Sequence, residues 1–557
     1  MKTPALPRRP HWMPLALAAA LSPLAPSQAA PLDAALREKV QNIVVIYAEN
    51  RSFDNLFGRF PGAEGLDTVL DAQGRPTPAY APQRDRDGRV LPVLPQSWGG
   101  VTAPGVSPAV TQAQSANLPN RPFDLATAFQ ASAGATLSTA TVTHDLVHRF
   151  FENQMQIDGG KNDQFAAWSN VGGLVMGHFD THDAALTRLA REYVLADHFF
   201  QGAFGGSFLN HQYLICACAP EYPNADTAPA HPSLTELEVD AQGRPLPRLK
   251  LAARSPASAL DGRPVFALAG NLAPKNYFGD GTFRAVNTMQ PAYQPSGNPP
   301  TDPQHPMRAD PAKGTTLPPQ TSATIGDLLT QKKIGWAWYA GAWAEALADG
   351  QQPASAKRRV IYASESNGVT SPAAPGFQPH HQPFNYYAAF DPEQHATARA
   401  EHLRDGRALR KDAAAGTLPP VAFYKPEGLY NQHPGYASVA EGDRQIAELV
   451  AALQASPQWP HMVIVITYDE NGGAWDHVAP PRGDLLGPGT RIPAIVVSPL
   501  ARKGTVDKTP YDTGSVLRLI SRRFELPLLP GLRQRDEALK AHGQPAMGDL
   551  TAALRLD

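Results

Sequence analysis

Two adjacent pairs of oxygen donors, Glu49-Asn50 and Asp469-Glu470, each stand directly after a short run of apolar, β-branched residues. Consecutive side chains of a strand point to opposite faces, so both members of such a pair can converge only where the strand has ended. Gathered together, these donors suit a hard cation such as Ca²⁺, Mg²⁺ or Mn²⁺, which takes several carboxylate and amide oxygens at once. Either pair alone reads equally well as a solvated strand end or a helix cap. A third group is Gly205-Gly206-Ser207, which opens the apolar, helical stretch that continues through Asn210 and His211. Glycines let backbones approach closely, and a hydroxyl at a helix start lies beside free N–H groups that favour a phosphate. The plainer reading of Ser207 is an N-cap. Its company, Asn210 and His211, is what points to chemistry.

These groups need elements to hold them. Asn42 to Ala48 is a run without polar alternation, the pattern of a strand covered on both faces of a parallel sheet. His461 to Tyr468 and Ile492 to Ser498 repeat it. Helices are predicted over Asp183–Tyr193, over Ser322–Lys332 with Ser322 as N-cap, over Ala437–Gln454 opened by Ser438, and over Thr513–Phe524. Trp336 to Tyr339 reads as a strand packed in the core. Helices alternating with short apolar strands give an α/β architecture, in which ligands collect beyond the carboxyl ends of the strands. Both donor pairs fall there.

Composition sets the frame: 557 residues, 42% hydrophobic and 18% charged, with 56 prolines and 45 glycines, describe a globular chain rich in stiffened loops. Residues 67–118 and 220–320 read as insertions, ordered loops or small lids around one catalytic domain spanning 30–557. Lys2, Arg8 and Arg9 precede an apolar stretch from Met13 to Ala25, and small residues at Ser27 and Ala29 complete a secretory signal over residues 1–29. The expected location is therefore periplasmic or secreted. That stretch is too short to span a membrane. Its removal takes the formal charge from −2 to −5, which offers nucleic acid no basic surface. Cys216 and Cys218 are the only cysteines, and a bridge across one residue looks strained, so both read as small buried hydrophobes. Lys161, in a glycine-rich turn, and the cluster Arg518, Arg522 and Arg523 read as solvated.

A resemblance adds to these readings. Glu49-Asn50-Arg51-Ser52-Phe53-Asp54-Asn55-Leu56-Phe57-Gly58 resembles the N-terminal signature of the bacterial acid phosphatase/phospholipase C superfamily. Gly205 to His211 resembles its nucleophile turn, and Tyr468 to Gly473 with Asp476 to Pro481 its C-terminal metal motif. The similarity runs from about Asn42 to Glu525 and loosens over the two insertions. It implies a core like that of alkaline phosphatase and the sulfatases, and one divalent metal held by Glu49, Asn50, Ser207, Asp469 and Glu470, with Ser207 also the nucleophile. The phospholipase C branch usually has threonine there with a proline two residues on, whereas Ser207 and Leu209 match the acid phosphatase branch. Segments around His148, the pair His380-His381, His433 and His477 also resemble family motifs. The resemblance casts His148, His381, His433 and His477 as catalytic, although spacing does not decide between His380 and His381, and Asp476-His477 equally suits a supporting pair.

The function these expectations describe is an exported acid phosphatase that cleaves small phosphomonoesters through a phosphoserine. The alternatives are a phospholipase C releasing phosphocholine from lipids and an exported binding protein that keeps the pocket without turnover. No long amphipathic or lipid-facing segment stands out, which favours soluble esters and no stable insertion into a membrane. The sequence leaves the oligomeric state open.

Overall fold

Runs that lack polar alternation become the middle of a sheet. The computed structural model describes residue 1 and residues 29–362 and 376–557. Apart from its two ends, the leader expected over residues 1–29 lies outside these described residues. Eight strands form the main sheet: Asn42–Ala48 (β1), Val194–Ala196 (β2), Trp336–Ala340 (β3), Leu403–Asp405 (β4), Val421–Lys425 (β5), Met462–Tyr468 (β6), Ala494–Val497 (β7) and Thr505–Asp507 (β8). Their order across the sheet is β4-β3-β5-β1-β6-β7-β2-β8. Every neighbouring pair is parallel except the two that involve β7. The fold is thus mixed α/β around a mostly parallel sheet, and β1 and β6, at its centre, are buried at every position.

The pairing register of these two strands matters most for the site. Asn42 lies opposite Met462 and Ala48 opposite Tyr468, so β1 and β6 end level. Glu49 and Asp469 therefore emerge side by side, tied by Asp469 N–H donating to Ala48 O at 3.1 Å. The following loops continue the pairing: Asn50 N–H donates to Asp469 Oδ1 (3.0 Å) and Arg51 N–H to Glu470 O (3.0 Å). Asn50 takes a φ of +64° in this turn. Gly472, at φ +59°, lies so close that a Cβ there would stand 2.2 Å from Asn50 O.

Helices cover the sheet: Phe150–Ile157 (α1), Ala185–Glu192 (α2), Ser207–Cys216 (α3), Ile325–Gln331 (α4), Val439–Gln454 (α5), Thr513–Phe524 (α6) and Pro530–Ala541 (α7). The Ser438 side chain caps α5 and α6 spans the residues its sequence implies. Helix α4 starts later than Ser322, because Thr324 and Asp327 form a reciprocal capping box that fixes its first turn. Cys216 and Cys218 are joined as a disulfide rather than free. The expectation failed because Ala217 adopts a left-handed conformation (φ +50°) at the end of α3, which turns Cys218 back toward Cys216.

The arginines of α6 are not a solvated face. Arg518 pairs with Asp536 at 2.7 Å, Arg522 with Asp33 at 2.6 Å and Asp549 at 2.7 Å, and Arg523 donates to Val40 O. They tie α6 to both ends of the chain. Residues 67–118 wrap the core as loops that bury Leu91, Leu94, Val101 and Val110. Residues 220–320 contain two small antiparallel ladders, Leu237–Val239 with Pro245–Leu249 and Leu272–Ala273 with Arg284–Ala285. Among the described residues no helix is long and apolar enough to cross a membrane.

Behind the turn that leads to α3, Arg535 is wholly buried and holds Asp512 (2.6 Å), Asp484 (2.8 Å) and Gly202 O (2.8 Å). Replacing it with methionine strands the buried Asp512 carboxylate without its counter-charge. Arg535→Met is expected to lower unfolding stability by about 3–5 kcal/mol, the range for breaking a buried pair. Chemical denaturation monitored by fluorescence checks this, and an unshifted midpoint contradicts it.

Candidate active site

Ser207 is the first residue of α3, and no side chain caps that helix start. Two glycines put it there. Gly205 has φ +83°, and a Cβ on it would stand 2.3 Å from Phe150 N; one on Gly206 would stand 2.8 Å from His148 O. The turn and the chain entering α1 are therefore in backbone contact, which sets His148 beside Ser207. Asn210 locks the turn from below, accepting from Ala203 N–H at 2.9 Å and donating to Ala203 O at 3.1 Å and Gly205 O at 3.2 Å. The Ser207 hydroxyl donates to Asn50 Oδ1 at 3.2 Å. Asn50 Nδ2 lies 3.3 Å from His148 Nε2.

Around this hydroxyl the two donor pairs converge. Ligand atoms of Glu49, Asp469 and His211 lie within 4.8 Å of one another. Glu470 Oε1 is 3.9 Å from His148 Nε2, while its other oxygen accepts from Gly472 N–H. Glu49, Asn50, Asp469 and Glu470 are all fully buried. Glu49 Oε2 is satisfied by Asn431 Nδ2 (2.7 Å) and the Tyr436 hydroxyl (3.0 Å). Two carboxylate oxygens, Asp469 Oδ2 and Glu470 Oε1, have no aligned hydrogen-bond donor. Glu49 Oε1 is held by Lys425 Nζ at 2.9 Å and by contact with His381 Nε2.

Buried acceptors without donors mark a place for a cation. Glu49, Asp469 and His211 lie close enough together to share a metal ion, with Asn50 Oδ1 and Ser207 Oγ paired beside them, whereas Glu470 stands apart, toward His148.

The electrostatics agree with that fit. Burial pushes Glu49 upward, yet the positive charges of His381 and Lys425 outweigh it and hold the carboxyl well below its usual range. Asp469, buried and beside Glu49, is pushed up to about 7, with Lys425 opposing. Glu470 is pushed well above the carboxylate range by burial and by Asp469. Burial also lowers His148 and His433 below 6.5, and raises Asp145, next to His433, to about 6.

Outside the carboxylates opens a cavity of about 730 Å³ lined by Ser207, His148, His380, His433 and Asp145 among others. His148 Nδ1 lies 2.6 Å from Leu146 O and its Nε2 is engaged by Asn50, whereas His433 Nδ1 contacts Pro434 O and leaves Nε2 available. His380 lines the cavity, and both its ring nitrogens are enclosed without partners. His381 does not line it: its ring turns to Glu49.

His477 stands where the supporting alternative of the sequence reading puts it. Its Nδ1 binds Asp54 Oδ2 (2.6 Å) and its Nε2 meets Thr68 Oγ1 (3.0 Å), away from the cavity. Asp54 and Asp476 both bind Arg491, at 3.1 Å and 2.9 Å, so this cluster supports the loops after β1 and β6. Lys161 is exposed and paired with Asp158 at 2.7 Å.

Lys425 is the residue the sequence reading missed. It ends β5, two strands from β6, as Glu49 follows β1. The available signal was Val421 to Lys425, a buried run closing on a charge.

The Asp54–His477 pair has a pH signature. Asp54 lies below its reference value of 3.8: burial raises it, and His477 and Arg491 lower it further than burial raises it. His477 lies above 6.5, with burial opposing and Asp54 raising it. Stability from His477 is thus present below pH 6.5 and lost as pH rises through the raised folded value; stability from Asp54 is present above 3.8 and lost as pH falls through the depressed one. His477→Asn is expected to destabilise most near pH 5–6 and least near pH 9, by roughly 1–3 kcal/mol at the maximum, with turnover of the folded variant retained. Denaturation midpoints at the two pH values and a rate assay check this; abolished turnover with normal stability contradicts it.

Comparison with known proteins now bears on the site. Non-specific phospholipase C6 of Arabidopsis thaliana is 34% identical over 149 residues, which is 21% of this chain and 28% of that protein. Phospholipase C A of Mycobacterium tuberculosis is 30% identical over 167 residues, 26% of this chain and 30% of its own. The chain thus spans less than a third of the length of these curated relatives. Among solved structures, the PsFucS1 sulfatase from Pseudoalteromonas sp. aligns over 92% of this chain and 74% of its own at 10% identity, with a TM-score of 0.31, too low to carry an argument. The Phosphoesterase family model matches residues 40–527, which include both donor pairs, the Ser207 turn and every cavity histidine, and the chain belongs to the phosphoesterase family.

Proposed function

We propose that this protein is an exported, metal-dependent acid phosphatase that hydrolyses small phosphomonoesters through a phosphoserine on Ser207, on a core of the alkaline phosphatase/sulfatase kind. The observation that carries the reading is a helix-start hydroxyl, bonded to Asn50, that lines a histidine-lined cavity and stands beside the buried carboxylates of Glu49 and Asp469. Family membership supports phosphoester hydrolysis. Export is supported by the Cys216–Cys218 disulfide, which persists in oxidising compartments.

A bound divalent cation would be held by Glu49, Asn50, Asp469 and Glu470, and would favour the ionised Ser207 hydroxyl and neutralise charge on a phosphoryl oxygen. Ser207 Oγ forms the bond to phosphorus as the ester oxygen departs, and water later releases phosphate. Free N–H groups at the start of α3 and protonated His148 and His433, which line the cavity, would face the equatorial oxygens. His433 has Nε2 to offer a proton to the leaving alcohol. Phospholipase C relatives favour a second reading, release of phosphocholine by the same residues. Ser207 in place of threonine, and Leu209 in place of a proline, favour the phosphatase.

Ser207→Ala is expected to cut hydrolysis of p-nitrophenyl phosphate by at least about 10³-fold, as loss of a nucleophile does, and chelation to do the same reversibly. Wild-type rates on p-nitrophenyl phosphorylcholine, measured beside them, decide between the two readings. Intact monoester turnover in the alanine variant removes the nucleophile assignment.

Since burial lowers His148 and His433 below 6.5, their protonated forms accumulate only on the acid side of that value. kcat/KM is therefore expected to fall roughly tenfold per pH unit on the alkaline side, above about pH 6.5. A profile rising steadily to pH 9 contradicts the histidine roles.

A further inference from the structure

The same chain entry that places His148 also places Arg149, and the reading so far gives it no task. Its peptide packs on the nucleophile turn: a Cβ on Gly205 would stand 2.7 Å from Arg149 C. Its guanidinium extends along the cavity wall to the insertion over residues 220–320. There Nη2 donates to Ala269 O at 2.8 Å, Gly270 O at 3.0 Å and Asn271 Oδ1 at 3.1 Å. All three are neutral. Nε is enclosed without a partner, and Nη1 makes no hydrogen bond among the described residues.

No carboxylate of the described residues forms an ion pair with Arg149 within 4.0 Å. Glu152, one turn on, feels its charge but does not line the cavity. Asp145 is the one acid in the lining, and it faces His148 and His433. Arg149 is half-buried, fixed by the backbone of the insertion, and reaches the cavity without an ion-pair partner among the described residues.

Resting on the phosphatase reading, we propose that Arg149 is a specificity-determining residue, and that its guanidinium binds a second anionic group, carboxylate or phosphate, on the alcohol portion of the substrate. The preferred substrates are then small phosphomonoesters that carry a further negative charge beyond the scissile phosphoryl group. A guanidinium offers paired N–H donors to such oxyanions, and the same charge repels a cationic headgroup such as that of phosphocholine. Asn271, held by Arg149 and itself lining the cavity, brings the insertion into this wall.

Glycerol 3-phosphate and 3-phosphoglycerate share one three-carbon skeleton and differ in a hydroxymethyl against a carboxylate, so the ratio of their kcat/KM values isolates the second charge. The wild-type protein, loaded with its metal, is expected to favour 3-phosphoglycerate by about 10-fold or more, the worth of a charge-assisted hydrogen bond. Arg149→Met is expected to bring the ratio close to one, by a loss confined mainly to 3-phosphoglycerate, and Arg149→Lys to restore part of it. No preference in the wild type, or an equal loss on both esters in both variants, overturns the proposal, the latter showing that Arg149 only anchors the insertion. If the wild type hydrolyses neither ester, the phosphatase reading has failed separately. The question then passes to calorimetric binding of the two esters to the same protein, where equal affinity or no binding overturns the role of Arg149 and a 10-fold difference removed by Arg149→Met upholds it.

Discussion

Three carboxylates buried at the carboxyl end of one parallel sheet cannot all hold negative charge unless something positive stands among them. Glu49 keeps its charge through Lys425 and His381. Asp469 is then pushed up to about 7, and Glu470 higher still, because each added charge enters a water-poor space already negative. One buried ammonium does not neutralise three carboxyls. The remaining deficit is what would make the site receptive to a metal ion. A structure that burdens its core in this way destabilises itself locally. Such arrangements persist at functional sites, where the ion offsets the cost.

That electrostatic knot depends on a geometric one. Because β1 and β6 end level, two strand ends separated by more than four hundred residues in sequence deliver their acids to the same place. A shift of one residue would turn each strand's side chains to the other face and part Glu49 from Asp469. Glycines then do what other residues cannot: Gly472 allows the loops to touch at Asn50, and Gly205 and Gly206 admit the chain carrying His148 and Arg149 against the Ser207 turn. Asp54, Asp476, Arg491 and His477 brace the far side of the same loops. His477 belongs to this bracing cluster, bonded to Asp54 and Thr68.

What could be read from the sequence follows from where the information is local. Strands such as Asn42–Ala48 and helices such as Thr513–Phe524 carry their periods within themselves, and both occur as read. The donor pairs were legible because the end of a strand is a local event. Lys425 was not, because a five-residue strand that closes on lysine has no distinguishing mark until β5 is seen beside β1. The choice between His380 and His381 depended on ring directions in a short 3₁₀ turn, and the cysteine bridge on the left-handed turn at Ala217. The arginines of α6 looked solvated because their partners Asp33, Asp536 and Asp549 come from separate stretches of chain.

The division of labour between core and insertion explains how one centre could serve different esters. Ser207 and His148, which line the cavity, are fixed by backbone contact at glycines, and the carboxylates behind them by strand register. The wall is different. Asn271, Asn287 and Thr288 come from residues 220–320, which attach to the core through Arg149 and through Asn287 Oδ1 accepting from Phe150 N–H at 3.0 Å. Changing that loop alters the cavity wall and leaves Ser207, His148 and the strand ends that carry the carboxylates untouched.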